Sequence, residues 1–179
     1  MKKIKNIFST KFKDAKFFEF SSFNDSRGFF KEVFNHEIES LIDNKFKFIQ
    51  DNESYSQYGV LRGLHFQNPP FEQSKLVRVS SGEIQDVIVD IRKDSKTYGQ
   101  WESFVLSSDN NKSLFVPRGF AHGFLVLSER ATVNYKVDNY YDSNSDSGIV
   151  FNDISLNIDW ALPYKDIIVS EKDKKLPNF

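Results

Sequence analysis

The chain has 179 residues, 24 Lys+Arg against 25 Asp+Glu, and no cysteine. That length suits one ordinary domain, and the near-cancelling charge leaves no field to make nucleic acid or an anionic membrane the principal partner, so any anion must be captured by local cations. Without cysteine, disulfides, zinc–thiolate sites and thiol nucleophiles are excluded, which fits a reducing compartment.

In chain order, the N-terminal MKKIKNIFSTKFKD carries lysines but no continuous apolar run. Nothing downstream approaches the roughly 20 apolar residues of a membrane helix, so a cytoplasmic setting is expected. Aromatic residues make up 16% of the chain, with 19 Phe and 7 Tyr, which favours pleated, half-buried strands. One segment reads as a helix, NHEIESLIDNKF at 35–46, where Ile38, Leu41 and Ile42 recur at three-to-four spacing behind Asn35 as N-cap. The remainder reads as strand. Leu76 to Val79, Ile84 to Ile91, Trp101 to Leu106, Leu114 to Val116, Phe124 to Leu127 and Thr132 to Val137 are short runs of strand formers between Gly, Ser, Asn, Asp or Pro clusters. SSDNNKS at 107–113 and DSNSDSG at 142–148 read as turns. No repeat or linker divides the chain, so a single all-β domain over 1–179, a sandwich or small barrel, is expected.

Strand alternation assigns faces within that plan. In DVIVDIR, Val87, Val89 and Ile91 point one way and Asp86, Ile88 and Asp90 the other, and two acids on the second face imply a polar lumen. Ideal alternation puts Arg62 and His65 on opposite faces. They share one only if a bulge intervenes, and Gly63 makes that bulge plausible.

Four segments hold polar or ionisable groups inside apolar strand text: SRGFFKE at 26–32, QDN at 50–52, RGLHF at 62–66 with Lys75, and FVPRGFAHGF at 115–124. His65 is either a buried imidazole satisfied by backbone groups or a base. Neighbouring cations such as Arg62 and Lys75 keep an imidazole neutral, and a carboxylate can orient it. Asp86, Asp90, Asp153, Asp159 and Asp173 are all available for that role. A metal site competes for histidines in a small β-barrel, but His65 has no His-x-His partner, His122 is isolated, and His36 lies in the expected helix. His122 sits in a Pro- and Gly-bounded segment that can bend to a cavity wall. Tyr135 shares a strand face with Val133 and Val137, while Asn134 and Lys136 face away. Most tyrosines so placed only pack, but a phenol opposite an imidazole would give proton exchange on two faces of one carbon, as an epimerisation requires.

The blocks RGLHFQ, KLVRV followed by GEIQDVIVDIRKDSKTYGQW, FVPRGFAHGF, and NYKVDNYY followed by GIVFNDISLNIDW together closely resemble the dTDP-4-dehydrorhamnose 3,5-epimerase family, from about Phe20 to Asp173. The resemblance implies a cupin jelly roll, a double-stranded β-helix with a few short peripheral helices. It implies a homodimer with N-terminal strands exchanged, and no metal or organic cofactor. It implies an isomerase that converts dTDP-4-dehydro-6-deoxy-D-glucose to dTDP-4-dehydro-L-rhamnose for polysaccharide biosynthesis. By motif, His65 is then the base, Asp173 of SEKD its orienting carboxylate, Tyr135 the acid on the opposite face, and Lys75 the cation at the C4 oxygen. Arg27, Glu32, Gln50, Asp51, Asn52, Arg62, His122 and Lys172 correspond to nucleotide-sugar contacts, Tyr140 to a stacking platform for the base. Asp146 stands where relatives often have Glu. The alternatives are an epimerase acting at C3 only or on a GDP- or CDP-linked 4-keto sugar, a non-catalytic sugar-binding cupin, and a metal-dependent cupin oxygenase.

Overall fold

The structure, a computed structural model, describes residues 3–42 and 47–179. The strands are β1 (Ile4–Ser9), β2 (Lys16–Phe20), β3 (Phe23–Asp25), β4 (Gly28–Phe30), β5 (Gln50–Gln57), β6 (Val60–Gln67), β7 (Lys75–Ser81), β8 (Glu83–Asp90), β9 (Trp101–Ser107), β10 (Lys112–Val116), β11 (Phe120–Val126), β12 (Arg130–Val137), β13 (Asp146–Gly148) and β14 (Ile168–Val169). Helix α1 spans His36–Ile42, and short 3₁₀ turns occupy Tyr164–Asp166 and Asp173–Lys175.

Two sheets face each other. The first runs β1-β2-β10-β7-β12-β5 and the second β13-β6-β11-β8-β9, with β14 added parallel to β6 and every other pairing antiparallel. This is the expected jelly roll. Between the sheets, Val77, Val79, Leu114 and Val133 meet Ile84, Ile88, Phe124 and Val126 in one core. Each sheet's outer face is covered separately. Phe18, Phe20, Leu76 and Phe115 pack with Ile38 of α1, while Val87, Val89 and Leu125 lie under Ile149, Leu156, Ile158 and Trp160 of the C-terminal segment. Three stacked cores explain why β8 is buried along nearly its whole length, since a strand covered on both faces carries a continuous apolar run.

The six strands expected between Leu76 and Val137 all form. So does the turn between β9 and β10, whose tip Asn111 takes φ 56°, a left-handed conformation that Asn tolerates. The second expected turn differs, because Asp146–Gly148 pairs with β6 instead of staying irregular. Asn35 caps α1, its Oδ1 accepting from the Glu37 N–H at 2.9 Å, as N-cap chemistry requires. Ile38 and Ile42 pack inward, while Leu41 is exposed. The expected helical continuation over 43–46 lies outside the described residues.

Candidate active site

The cavity is built where the second sheet bulges. Across the β6–β11 ladder His65 pairs with His122 and Arg62 with Phe124, so three steps on β6 match two on β11. The extra residue puts Arg62 and His65 on one wall, which strict alternation forbids. Gly63 makes this possible, with φ +126° and backbone so close that a Cβ would lie 2.5 Å from Gly123 Cα. The resulting cavity has a volume of about 480 Å³. His65, Arg62, His122 and Phe124 come from the second sheet, Lys75, Tyr135 and Ser54 from the first, and Ile168, Ser170, Lys172 and Asp173 from the C-terminal segment.

Of the five acids available to His65, Asp173 is the partner, its Oδ1 2.8 Å from His65 Nε2. The buried carboxylate also accepts from the Gly63 N–H at 3.4 Å, which ties the bulge to the pair. An ionised carboxylate only accepts, so the neutral ring carries its proton on Nε2 and keeps Nδ1 basic. Burial pushes the imidazole below its ordinary value of 6.5, against the opposing pull of Asp173, and Lys75 adds to the lowering. Asp86 belongs instead to His122, whose Nε2 lies 2.9 and 3.0 Å from its two oxygens. Asp90 binds Arg92, Ser95 and Thr97, Asp153 ties the Leu156 turn to Phe179, and Asp159 is exposed.

Lys75 opens β7 and reaches the cavity from the facing sheet. Its ammonium is lowered from 10.5 to about 8, because removal from water outweighs the opposing pull of Asp86 and Asp146. Tyr135 stands on the same sheet, opposite Asn52 on β5. Its phenol is raised by burial, with Arg62 opposing, so it stays protonated at neutral pH. Imidazole and phenol therefore come from opposite sheets into one cavity, with an ammonium that is mostly charged at pH 7.

The other expected contacts divide into two groups. Arg62, whose Nε donates to Ser56 Oγ at 3.0 Å, His122 and Lys172 line the cavity. Asp146 binds Lys172 and accepts from the Tyr141 hydroxyl. Arg27, Glu32, Gln50, Asp51, Asn52 and Tyr140 do not line it. Arg27 is on the exposed β3–β4 hairpin, paired with Asp25. Glu32 binds Lys3, Asp51 binds Lys136, Gln50 bonds Asn52, and Tyr140 is exposed after β12. Sequence reasoning missed Ser54, Phe124, Ile168 and Ser170. Phe124 and Ser170 stand at the ends of the blocks FVPRGFAHGF and SEKD without being singled out, and no such block contains Ser54 or Ile168.

A family model described as dTDP-4-dehydrorhamnose 3,5-epimerase matches residues 9–179. The dTDP-4-dehydrorhamnose 3,5-epimerase of Methanothermobacter thermautotrophicus is 51% identical over 153 residues, 85% of this chain and 82% of that protein. The Shigella flexneri enzyme of the same name is 47% identical over 169 residues, 94% and 92% of the two chains. The crystal structure of a dTDP-6-deoxy-D-glucose-3,5-epimerase from Legionella pneumophila in complex with dTDP-4-keto-L-rhamnose superposes with a TM-score of 0.92 at 44% identity, covering 97% of this chain and 92% of that one.

Proposed function

The chain belongs to the dTDP-4-dehydrorhamnose 3,5-epimerase family, and we infer from its cavity that it is an isomerase inverting C3 and C5 of dTDP-4-dehydro-6-deoxy-D-glucose to give dTDP-4-dehydro-L-rhamnose. One observation carries the reading: the His65–Asp173 pair and Tyr135 enter a single cavity from opposite sheets, with Lys75 beside them. A proton on a carbon next to a ketone leaves only if the electron pair can settle on the carbonyl oxygen. In this reading His65 Nδ1 takes the proton, the C–H electrons move to the C4 oxygen, and the Lys75 ammonium holds the resulting enolate. Tyr135 then donates its hydroxyl proton to the opposite face of the same carbon. Imidazolium and phenolate are restored by proton exchange with water. A placed base is worth about 10²–10⁴-fold, and a preorganised cation at the developing oxyanion about 10²–10³-fold.

Arg62 and Lys172 supply local positive charge for the diphosphate in a chain with no net basic field, a role suited to a guanidinium fork. The exposed hairpin bearing Arg27 also presents Phe29 and Phe30 to solvent. We place it in a homodimer with exchanged N-terminal strands, where Arg27 and Glu32 complete the partner's cavity. No described helix is long and apolar enough to cross a membrane. The test is incubation with dTDP-4-keto-6-deoxyglucose in deuterated water. Deuterium at both C3 and C5 is expected. Deuterium at C3 alone makes the protein a C3 epimerase, and at neither carbon removes the mechanism.

A further inference from the structure

One polar atom in the cavity wall is left over. Ser54 Oγ is buried without a hydrogen-bond partner among the described residues, although the residue is only half-buried and lines the same cavity as His65 and Tyr135. A buried hydroxyl in that state lowers stability, and native proteins keep few of them. Strand register fixes where it stands. Ser54 pairs with Val133, and Asn52 with Tyr135. Directly opposed residues share a face, so Ser54 is on the inward face with Val133 and Tyr135. The next inward residue, Ser56, holds Arg62 Nε at 3.0 Å, so of two serines about 7 Å apart on one face Ser56 is bonded and Ser54 is not. The Ser54 hydroxyl thus belongs to a residue that lines the cavity, and among the described residues no bond holds it. A hydroxyl that no bond holds can take another staggered χ1 well.

We propose that Ser54 is a substrate-positioning residue whose hydroxyl turns into the cavity and bonds the C2 hydroxyl of the hexose. The inference rests on the reading of this cavity as a dTDP-4-keto-sugar site. Two arguments select C2. Ser54 is the close neighbour of the serine that holds Arg62, the guanidinium suited to the diphosphate, and C2 adjoins the carbon that carries the diphosphate. C2 is also the hydroxyl-bearing carbon that is never inverted, so a contact there survives both proton exchanges, whereas the C3 hydroxyl changes sides. A contact kept equally in ground and transition states strengthens binding without speeding chemistry.

The experiment compares wild type and Ser54→Ala on dTDP-4-keto-6-deoxyglucose and on its 2-deoxy analogue, with thermal melting of both proteins. The variant is expected to raise KM about tenfold on the natural sugar with kcat little changed, to match wild type on the analogue, and to melt at the same temperature or higher. An equal loss on both sugars, or no loss on either, overturns the proposal, as does a lowered melting temperature accompanying the loss. Absence of turnover by wild type refutes the assigned reaction instead, so the two failures are distinguishable.

Discussion

Replacing Lys75 by Met separates stability from activity in opposite directions. The Lys75 ammonium is lowered from 10.5 to about 8, chiefly by removal from water. That difference is equivalent to ~3 kcal/mol by which the folded state disfavours the charged form. The side chain is half-buried in an open cavity, so solvent screening reduces the net cost toward ~1 kcal/mol. At pH 7 Lys75→Met should therefore stabilise the protein by about 1–3 kcal/mol, read as a higher urea midpoint at unchanged slope. The sign over pH follows from proton counts. Between about 8 and 10.5 the unfolded chain keeps the lysine proton while the folded chain has released it, so wild-type stability rises with pH and the variant's advantage shrinks. Activity should fall about 10²–10³-fold, the usual loss when an oxyanion-stabilising group is removed. In wild type, kcat/KM should decline about tenfold per pH unit above about 8. Asp146→Asn should move that decline to lower pH, because Asp146 is one of the two carboxylates that raise Lys75. A Met variant less stable than wild type at pH 7, or an advantage that grows toward pH 10, refutes the reasoning.

His65→Asn should abolish deuterium exchange with little loss of dTDP binding, measured by calorimetry, because the imidazole contributes chemistry rather than nucleotide affinity. Asp173→Asn should cut kcat by at least about 10²-fold, since an amide can donate to Nε2 and select the wrong tautomer. The acid limb of its profile should move to lower pH, because the carboxylate is what raises the imidazole against burial. Gly63→Ala should lower stability by more than about 2 kcal/mol in denaturant titration and remove activity, because a side chain is strained at that φ and has no room against Gly123. Arg27→Ala and His65→Asn, each inactive alone, should recover part of the activity when unfolded and refolded together. Recovery requires a mixed dimer in which one cavity carries both native residues.

The sequence carried the second half of the molecule well and the first half poorly, for a physical reason visible in β5. Its inward residues are polar, Ser54 lining the cavity, Ser56 holding the cavity's Arg62 and Asn52 bonded to Gln50, so the strand shows none of the apolar alternation that reveals β12. The same polarity marks function once the fold is known. Strands β1 to β4 are short or edge-like, and their Phe residues divide among the inner core (Phe17), an outer core (Phe18, Phe20) and solvent (Phe8, Phe29, Phe30), which defeats a period-two reading. Alternation in β8 did place Asp86 inward, but not which histidine it serves.

The bulge at Gly63 was foreseeable from a glycine between two groups that had to meet, whereas the choice of Asp173 among five acids was not recoverable from spacing. That carboxylate arrives from a 3₁₀ turn 108 residues after His65, and its position depends on β14 pairing with β6 and on the Ser170 hydroxyl that accepts the Asp173 N–H at 3.0 Å. A sequence motif records which residues are present. The distance between imidazole and carboxylate is set by the C-terminal segment packing on the outer face of the second sheet, through Ile149, Leu156 and Trp160. Loosening that outer core should therefore weaken catalysis before it unfolds the inner one, since the inner core between the sheets does not depend on the C-terminal segment for its contacts.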